Sequence, residues 1–299
     1  MTSKLPNLII AGVNKGGTTS LFSYLSAHPD VCASSKKETC YFLPLRYGEQ
    51  PEPLEQYVQN FKQCGAQKYI MEATPGYFYG GAAVARAIKS QLGDVKIIII
   101  LREPTDRLLS FFKFKKSMME LDSSLSFEEY INTCETMDPH AVKRRENNQY
   151  WGVQGGFYAD YMEDWFDTFG SSLKILFFDQ LKSDSSLLLK ELCDWLDIDA
   201  SVYNSLELGV ENKTVSYKSG VLHQAALLVN TSGERFLRTY PALKEVGRKF
   251  YYALNGKSQS EVISDSTLVR ARGYFAPYNK RLTAQLLARG YNNLPKWLG

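Results

Sequence analysis

The chain alternates short, nearly continuous apolar runs with longer stretches whose apolar residues recur three and four apart. Leu8–Ala11 is such a run, and Thr18–Ala27 follows with Leu21, Phe22 and Leu25 on one helical face. "VKIIIILR", Val95–Arg102, lacks the alternation of a half-exposed strand, which predicts a parallel strand covered on both sides. The segment after it, "EPTDRLLSFFKFKKSMM", predicts a helix. Pro104 stands near its first turn, where a missing N–H costs little, and Leu108, Phe111 and Phe112 fall at helical spacing. Between these units, "YIMEATPGYF" predicts a third strand over Tyr69–Glu72 ending in a Thr-Pro-Gly turn, and a helix over Gly81–Gln91 carries the chain back. "LKILFFDQL", Leu173–Leu181, predicts a fourth strand. It lies between a helix in "GFYADYMEDWFDTF" and a leucine-striped helix in "DSSLLLKELCDWLDI" that has Asp184 as its N-cap.

Strands alternating with helices predict an α/β fold with a parallel sheet and helices on both faces. The 299 residues suit one domain spanning 1–299, with a mostly helical part from about residue 205. Within that part, Gly220–Asn255 reads as helical, Gly256–Ser266 as a mobile loop, and about Pro277–Arg289 as a final helix.

Composition narrows the function. Hydrophobic residues make up 44% and charged residues 22%, as in ordinary globular proteins, and no run approaches the roughly 20 apolar residues of a membrane span. The start "MTSKLPN" lacks the regions of a signal peptide, so a cytoplasmic location and no membrane partner are expected. A net charge of +3 is too small for a general polyanion binder, which argues against a nucleic-acid partner. Five widely spaced cysteines without a CxxC pair are expected to be reduced thiols, and three scattered histidines offer no metal-ligand spacing, so no metal is expected.

The turn between the first strand and helix carries the clearest chemistry: Lys15-Gly16-Gly17-Thr18-Thr19-Ser20. Glycines let a ligand approach the backbone, the helix start offers free N–H groups and the positive end of its dipole, and lysine and hydroxyls add donors for anionic oxygens. In a Walker A loop the lysine follows the last glycine; here Lys15 precedes Gly16 and Gly17, which disfavours a kinase or ATPase. In "LREPTDRLLSFF", Arg102 ends the second strong strand and Ser110 lies two helical turns on. Open α/β sheets bind ligands at the carboxyl ends of their strands, so Arg102 and the Lys15 turn are expected to face one space.

These segments resemble the sulfotransferases that use 3'-phosphoadenosine 5'-phosphosulfate (PAPS), especially the branch of heparan sulfate and related bacterial sulfotransferases. "GVNKGGTTSLFSYLSAHPDV" is similar to their 5'-phosphosulfate loop and "LREPTDRLLSFF" to their 3'-phosphate motif, with "KKETCYF" and "MEATPGYF" in the same order between them. The similarity extends from Asn7 to about Asn212. It implies a P-loop-like sulfotransferase fold in which Lys15, Gly16, Gly17, Thr18, Thr19 and Ser20 hold the 5' end, Arg102 and Ser110 hold the 3'-phosphate, and Glu38 is the general base. The implied reaction moves a sulfuryl group to a hydroxyl or nitrogen and leaves 3'-phosphoadenosine 5'-phosphate (PAP), with Lys15 offsetting charge on the bridging oxygen. The family usually closes a basic, glycine-containing loop over the donor. "RARGYF", with Arg270, Arg272 and Gly273, is the first candidate here, and Lys218 with Gly220 the second.

Two departures shape the expected acceptor. Ala73 stands where many glycosaminoglycan enzymes have lysine, so Lys36, Lys37, Lys113 or Lys115 must supply that cation if one is needed. The stretch after "ENKTVSYKSG" also lacks the cysteine-bracketed loop of the luminal enzymes. Together they favour a small-molecule acceptor such as a secondary metabolite, with a carbohydrate sulfotransferase or a nucleotide-binding homologue without turnover as the rivals. Tyr41, Phe42, Tyr77, Phe78 and Tyr79 are candidate acceptor-pocket aromatics. Without the resemblance, Glu38 would read as a surface carboxylate paired with Lys36 or Lys37.

Overall fold

A computed structural model of the chain describes residues 5–205, 216–217, 256–257 and 263–299. Its main sheet has five strands, all paired in parallel, in the order β2-β3-β1-β4-β5. These are β1 (Leu8–Gly12), β2 (Val31–Ala33), β3 (Tyr69–Ala73), β4 (Lys96–Leu101) and β5 (Leu173–Phe177). Four of them match the predicted apolar runs. The fifth, β2, is a three-residue edge strand, too short for any periodicity to reveal. β5 also stops earlier than expected: the Phe177 N–H donates to Gln180 Oε1 at 3.4 Å, and the chain turns into a helix over Phe178–Ser183.

Alternate residues of the central strands enter opposite cores, which is why those strands read as unbroken apolar runs. Ile9, Ala11, Ile97, Ile99 and Leu101 join one cluster, together with Val84 and Ile88 of the helix Gly81–Leu92 and Trp165 of Ala159–Phe169. Leu8, Ile10, Ile98 and Ile100 join the other, with Leu21 and Leu25 of Thr18–Ser26 and the leucines of Ser185–Leu196. Among the described residues the α-helices are, in order, α1 (Thr18–Ser26), α2 (Leu54–Val58), α3 (Gly81–Leu92), α4 (Pro104–Ser117), α5 (Phe127–Thr136), α6 (Ala159–Phe169), α7 (Phe178–Ser183), α8 (Ser185–Leu196) and α9 (Asp265–Leu287). Asp184 caps α8 as expected, accepting from the Leu187 N–H at 2.9 Å.

The last helix differs from the expectation. α9 begins at Asp265, not near Pro277, and Pro277 lies inside it. Ser264 caps its start by accepting from the Thr267 N–H at 3.2 Å, and Ala271 and Phe275 are buried against Leu108 and Phe112 of α4. Tertiary burial of that first half outweighs the local preference of proline for a helix start. A short antiparallel pair joins Ser216–Tyr217 and Gly256–Lys257. The expected helical stretch Gly220–Asn255 lies outside the described residues, as do residues 258–262 of the expected loop Gly256–Ser266, whose ends are strand at Gly256–Lys257 and the cap and start of α9 at Ser264–Ser266.

The cysteine expectation also needs correction. Cys32 of β2 and Cys64 form a disulfide, with Cα atoms 5.5 Å apart, while Cys40, Cys134 and Cys193 are free. The two partners are separated by 32 residues, and only the folded return of the chain past β2 brings them side by side.

Candidate active site

β3, β1 and β4 are neighbours, so the segments leaving their carboxyl ends line one crevice. After β1 the backbone folds tightly onto β4: the Val13 N–H donates to the Ile100 carbonyl at 3.0 Å, and the Gly16 N–H to the Val13 carbonyl at 3.0 Å. A Cβ on Gly16 would come within 2.5 Å of the Ile100 oxygen, so only glycine fits there. Gly17 is the N-cap of α1 with φ 99°, and a Cβ on it would meet Phe178 at 2.7 Å. The turn thus places the start of α1, whose first N–H groups have no intrahelical partner, at the carboxyl end of β1, together with Thr18, Thr19 and Ser20. Thr18 and Ser20 are buried, and Thr19 is half-buried.

Arg102 leaves β4 directly beside this turn, and its Nη1 donates to the Lys15 carbonyl at 3.3 Å. The structure therefore brings Lys15 and Arg102 together, as the sequence pattern predicts. The Lys15 ammonium stands 4.3 Å from the Phe114 ring centroid on α4, and the Arg102 guanidinium 4.6 Å from that of Phe178. Burial, followed by the Arg102 and Lys37 charges, pulls the Lys15 ammonium down to about 8, and Glu38 opposes the shift. Ser110 is half-buried on α4, the same helix that Arg102 precedes. Two buried polar atoms here, Arg102 Nε and Thr105 Oγ1, have no hydrogen-bond partner among the described residues. Orphaned buried donors cost about 1–3 kcal/mol each, which an oxygen-rich anion at the start of α4 would relieve. The close-approach glycines, the cations and these orphaned atoms suit a phosphate-bearing ligand such as the donor implied by the resemblance.

The facing wall is the segment Ser34–Phe42, which follows β2. Lys37 Nζ lies 3.7 Å from Glu38 Oε1, and 39% of the Glu38 side chain reaches solvent. The crevice is nevertheless dense enough that desolvation is the leading influence, pushing the Glu38 carboxyl up while Lys37, Lys15 and Lys115 hold it down. Lys115 is itself buried and paired with Glu120 at 2.6 Å. Of the lysines considered as substitutes at Ala73, Lys37 is the one in direct ion-pair range of Glu38, Lys36 is exposed, and Lys113 is half-buried on α4. The result is a carboxylate of raised proton affinity near three lysines, Lys37, Lys15 and Lys115, with Arg102 in turn acting on Lys15. Such a site attracts anions and can accept a proton from a neutral hydroxyl or amine.

Some expected residues lie elsewhere. Arg270, Arg272 and Gly273 stand within α9, so the expected loop over "RARGYF" is helix; Arg270 pairs with Glu135 and donates to the Tyr274 hydroxyl at 2.6 Å. Lys218 and Gly220 lie outside the described residues. Tyr41, Phe42, Tyr77, Phe78 and Tyr79 are core residues, exposed by no more than 8%. Tyr41 stacks on Tyr57 with centroids 4.2 Å apart, and the Tyr79 hydroxyl donates to the Gly155 carbonyl at 3.1 Å. His28 packs at the end of α1, where its Nδ1 accepts from the Asp30 N–H at 3.0 Å.

Two charged residues escaped the sequence reading. Glu72 is fully buried at the end of β3, and Arg107 is fully buried on α4, where its Nε and Nη1 have no partner among the described residues. Their signal was present but weak: each is a charge embedded among apolar residues of a predicted element, a pattern that does not tell a snorkelling surface group from a buried one.

The sulfotransferase domain family matches residues 5–220 of the chain, and the chain belongs to that family. Among curated proteins, the membrane-associated sulfotransferase kil1 of Dictyostelium discoideum is 35% identical over 135 residues, covering 43% of this chain and 28% of that protein. Human heparan sulfate glucosamine 3-O-sulfotransferase 5 is 28% identical over 184 residues, covering 56% of this chain and 46% of that one. The matched region thus spans less than half the length of either relative. A crystal structure of a sulfotransferase from Alicyclobacillus acidocaldarius superposes with a TM-score of 0.61 at 21% identity, over 79% of this chain and 96% of that one, which supports the fold.

Proposed function

We propose that the chain is a PAPS-dependent sulfotransferase that moves a sulfuryl group to a hydroxyl or nitrogen of an acceptor and releases PAP. The observation that carries this reading is the hydrogen bond from Arg102 to the Lys15 carbonyl, which joins both candidate phosphate motifs in one crevice beside Glu38. In this reading the Lys15–Ser20 turn binds the 5' end of the donor through Lys15, the Gly16 and Gly17 backbone and the Thr18, Thr19 and Ser20 hydroxyls. Arg102 and Ser110 bind the 3'-phosphate. The bound donor supplies an activated sulfuryl group. Glu38 takes the acceptor proton as the new bond to sulfur forms, a role its raised proton affinity suits. Lys15, with Lys37 in the place of the cation missing at Ala73, offsets the charge left on the donor side. Alignment and electrostatics account for the rate, with no covalent enzyme intermediate.

A small-molecule acceptor, suggested by Ala73 and the cysteine-free stretch, lacks support from the candidate pocket aromatics, since these are packed in the core. A carbohydrate acceptor is the second reading. It is favoured by the lysines around Glu38 and by relatives named for heparan sulfate glucosamine. The test is turnover with sulfate-labelled PAPS against phenols, alcohols, amines and sugars, including heparan fragments. Labelled product from any class supports transfer and identifies the acceptor class. PAP binding without product from any acceptor would point to a nucleotide-binding protein without turnover.

A further inference from the structure

Glu72 is a carboxylate with no solvent exposure, and no lysine or arginine forms a salt bridge with it among the described residues. An ionised carboxylate in such a place must be solvated by donors. Four hydroxyls do this: Tyr57 at 2.6 Å, Tyr77 at 3.1 Å, Thr74 at 3.1 Å, and Thr39 in a shorter contact. Burial pushes the Glu72 carboxyl up, and the four hydroxyls oppose the shift.

These donors lead to the Glu38 segment. Thr39 is the next residue in the chain after Glu38. The Thr74 oxygen, while donating to Glu72, accepts from the Cys40 N–H at 3.2 Å. The Tyr77 oxygen does the same for the Phe42 N–H at 3.2 Å. After the Ser34 N–H bond to the Met71 carbonyl at 2.7 Å and the Ser35 N–H bond to the Asn60 carbonyl at 2.8 Å, the segment leaves the β2–β3 ladder, and this hub takes up the Cys40 and Phe42 N–H groups that a strand would have paired.

We propose that Glu72 is a positioning residue that holds Glu38 toward the Lys15 turn. It does so through Thr39 and through the hydroxyls that take up the Cys40 and Phe42 N–H groups. The inference rests on Glu38 being the base. Glutamine keeps the shape but replaces one acceptor oxygen with a donor, so two incoming hydroxyls lose their partner.

The test compares Glu72→Gln, Thr39→Val and Glu38→Gln in the full chain. Tyr69→Phe serves as a control, removing a 2.8 Å buried hydrogen bond to Leu196 at the far end of the same strand. Glu72→Gln and Thr39→Val are expected to lower kcat about 10- to 100-fold, as small misplacement of a reacting group does, with PAP affinity within twofold of wild type. The acid limb of their kcat profile should move to lower pH. Desolvation outweighs the pull of Lys37, Lys15 and Lys115 on Glu38, so a released carboxyl titrates lower, with the neighbouring Cys40 thiol neutral there. Tyr69→Phe should lose stability and keep kcat. The inference is overturned if Glu38→Gln abolishes turnover while Glu72→Gln and Thr39→Val keep it within threefold, or if they lose PAP affinity in proportion to kcat. If Glu38→Gln itself keeps full turnover, the base assignment fails first and the positioning role with it.

Discussion

The Lys15 turn and the Glu38 segment face each other across one crevice, yet they are held in different ways. The turn is fixed by its own backbone: the bonds from Val13 and Gly16, the approach of Gly16 to the Ile100 oxygen, and the α1 start at Gly17. The Glu38 segment depends on side chains from elsewhere, namely the hydroxyls gathered at Glu72 and a disulfide between Cys32 and Cys64 that closes the excursion containing it. The proposed nucleotide-binding wall and the proposed proton-accepting wall can therefore be perturbed separately, and separation of binding from rate is the signature to look for.

The sharpest break between the walls is expected from Glu38→Gln. General-base contributions run to about 10²–10⁴ in rate, so turnover should fall into that range while PAP affinity, measured by calorimetry, stays at wild-type level. An equal loss of binding would mean that Glu38 belongs to the donor wall instead.

Opening the disulfide should have the next largest effect. A bridge spanning 32 residues contributes about 2–4 kcal/mol, so Cys32→Ser should lower the denaturant midpoint accordingly. Because the closed excursion carries Lys37, Glu38 and Tyr57, the variant should lose kcat before it loses PAP affinity. Full retention of both stability and kcat would remove the disulfide from this account.

The smallest effect is a proton. Free Lys15 is held down to about 8, so above that pH it is largely neutral, and an anion bound beside it restores its charge. PAP binding near pH 9 should therefore take up a proton, approaching about one per site, and weaken as pH rises further. Calorimetry in buffers of different ionisation heat reads this uptake directly, and Lys15→Met should abolish it.

The same contrast explains what the sequence could reveal. The proposed donor wall was legible as a candidate because its lysine, glycines and hydroxyls are contiguous and sit where an apolar run hands over to a helical pattern. Arg102 and Ser110 were legible for the same reason, at the end of one strand and two turns into the helix that follows it. Glu72 was not, since its partners Thr39 and Tyr57 lie 33 and 15 residues away and only the parallel sheet brings them together. The Cys32–Cys64 pair is non-local in the same sense. Pro277 misled for a different reason: its local preference marks a helix start, but burial of Ala271 and Phe275 against α4 extends α9 back to Asp265. Likewise the aromatics after each candidate segment read equally well as pocket or core, and burial settles them as core.

The central claim, that the Lys15 turn and the end of β4 form one site for a doubly phosphorylated nucleotide, is tested most directly by calorimetric PAP binding to wild type, Lys15→Ala and Arg102→Ala. Hydrogen bonds to charged groups contribute about 1.5–3 kcal/mol, so each variant should bind PAP at least about tenfold more weakly. Wild-type affinity in both variants would contradict the account.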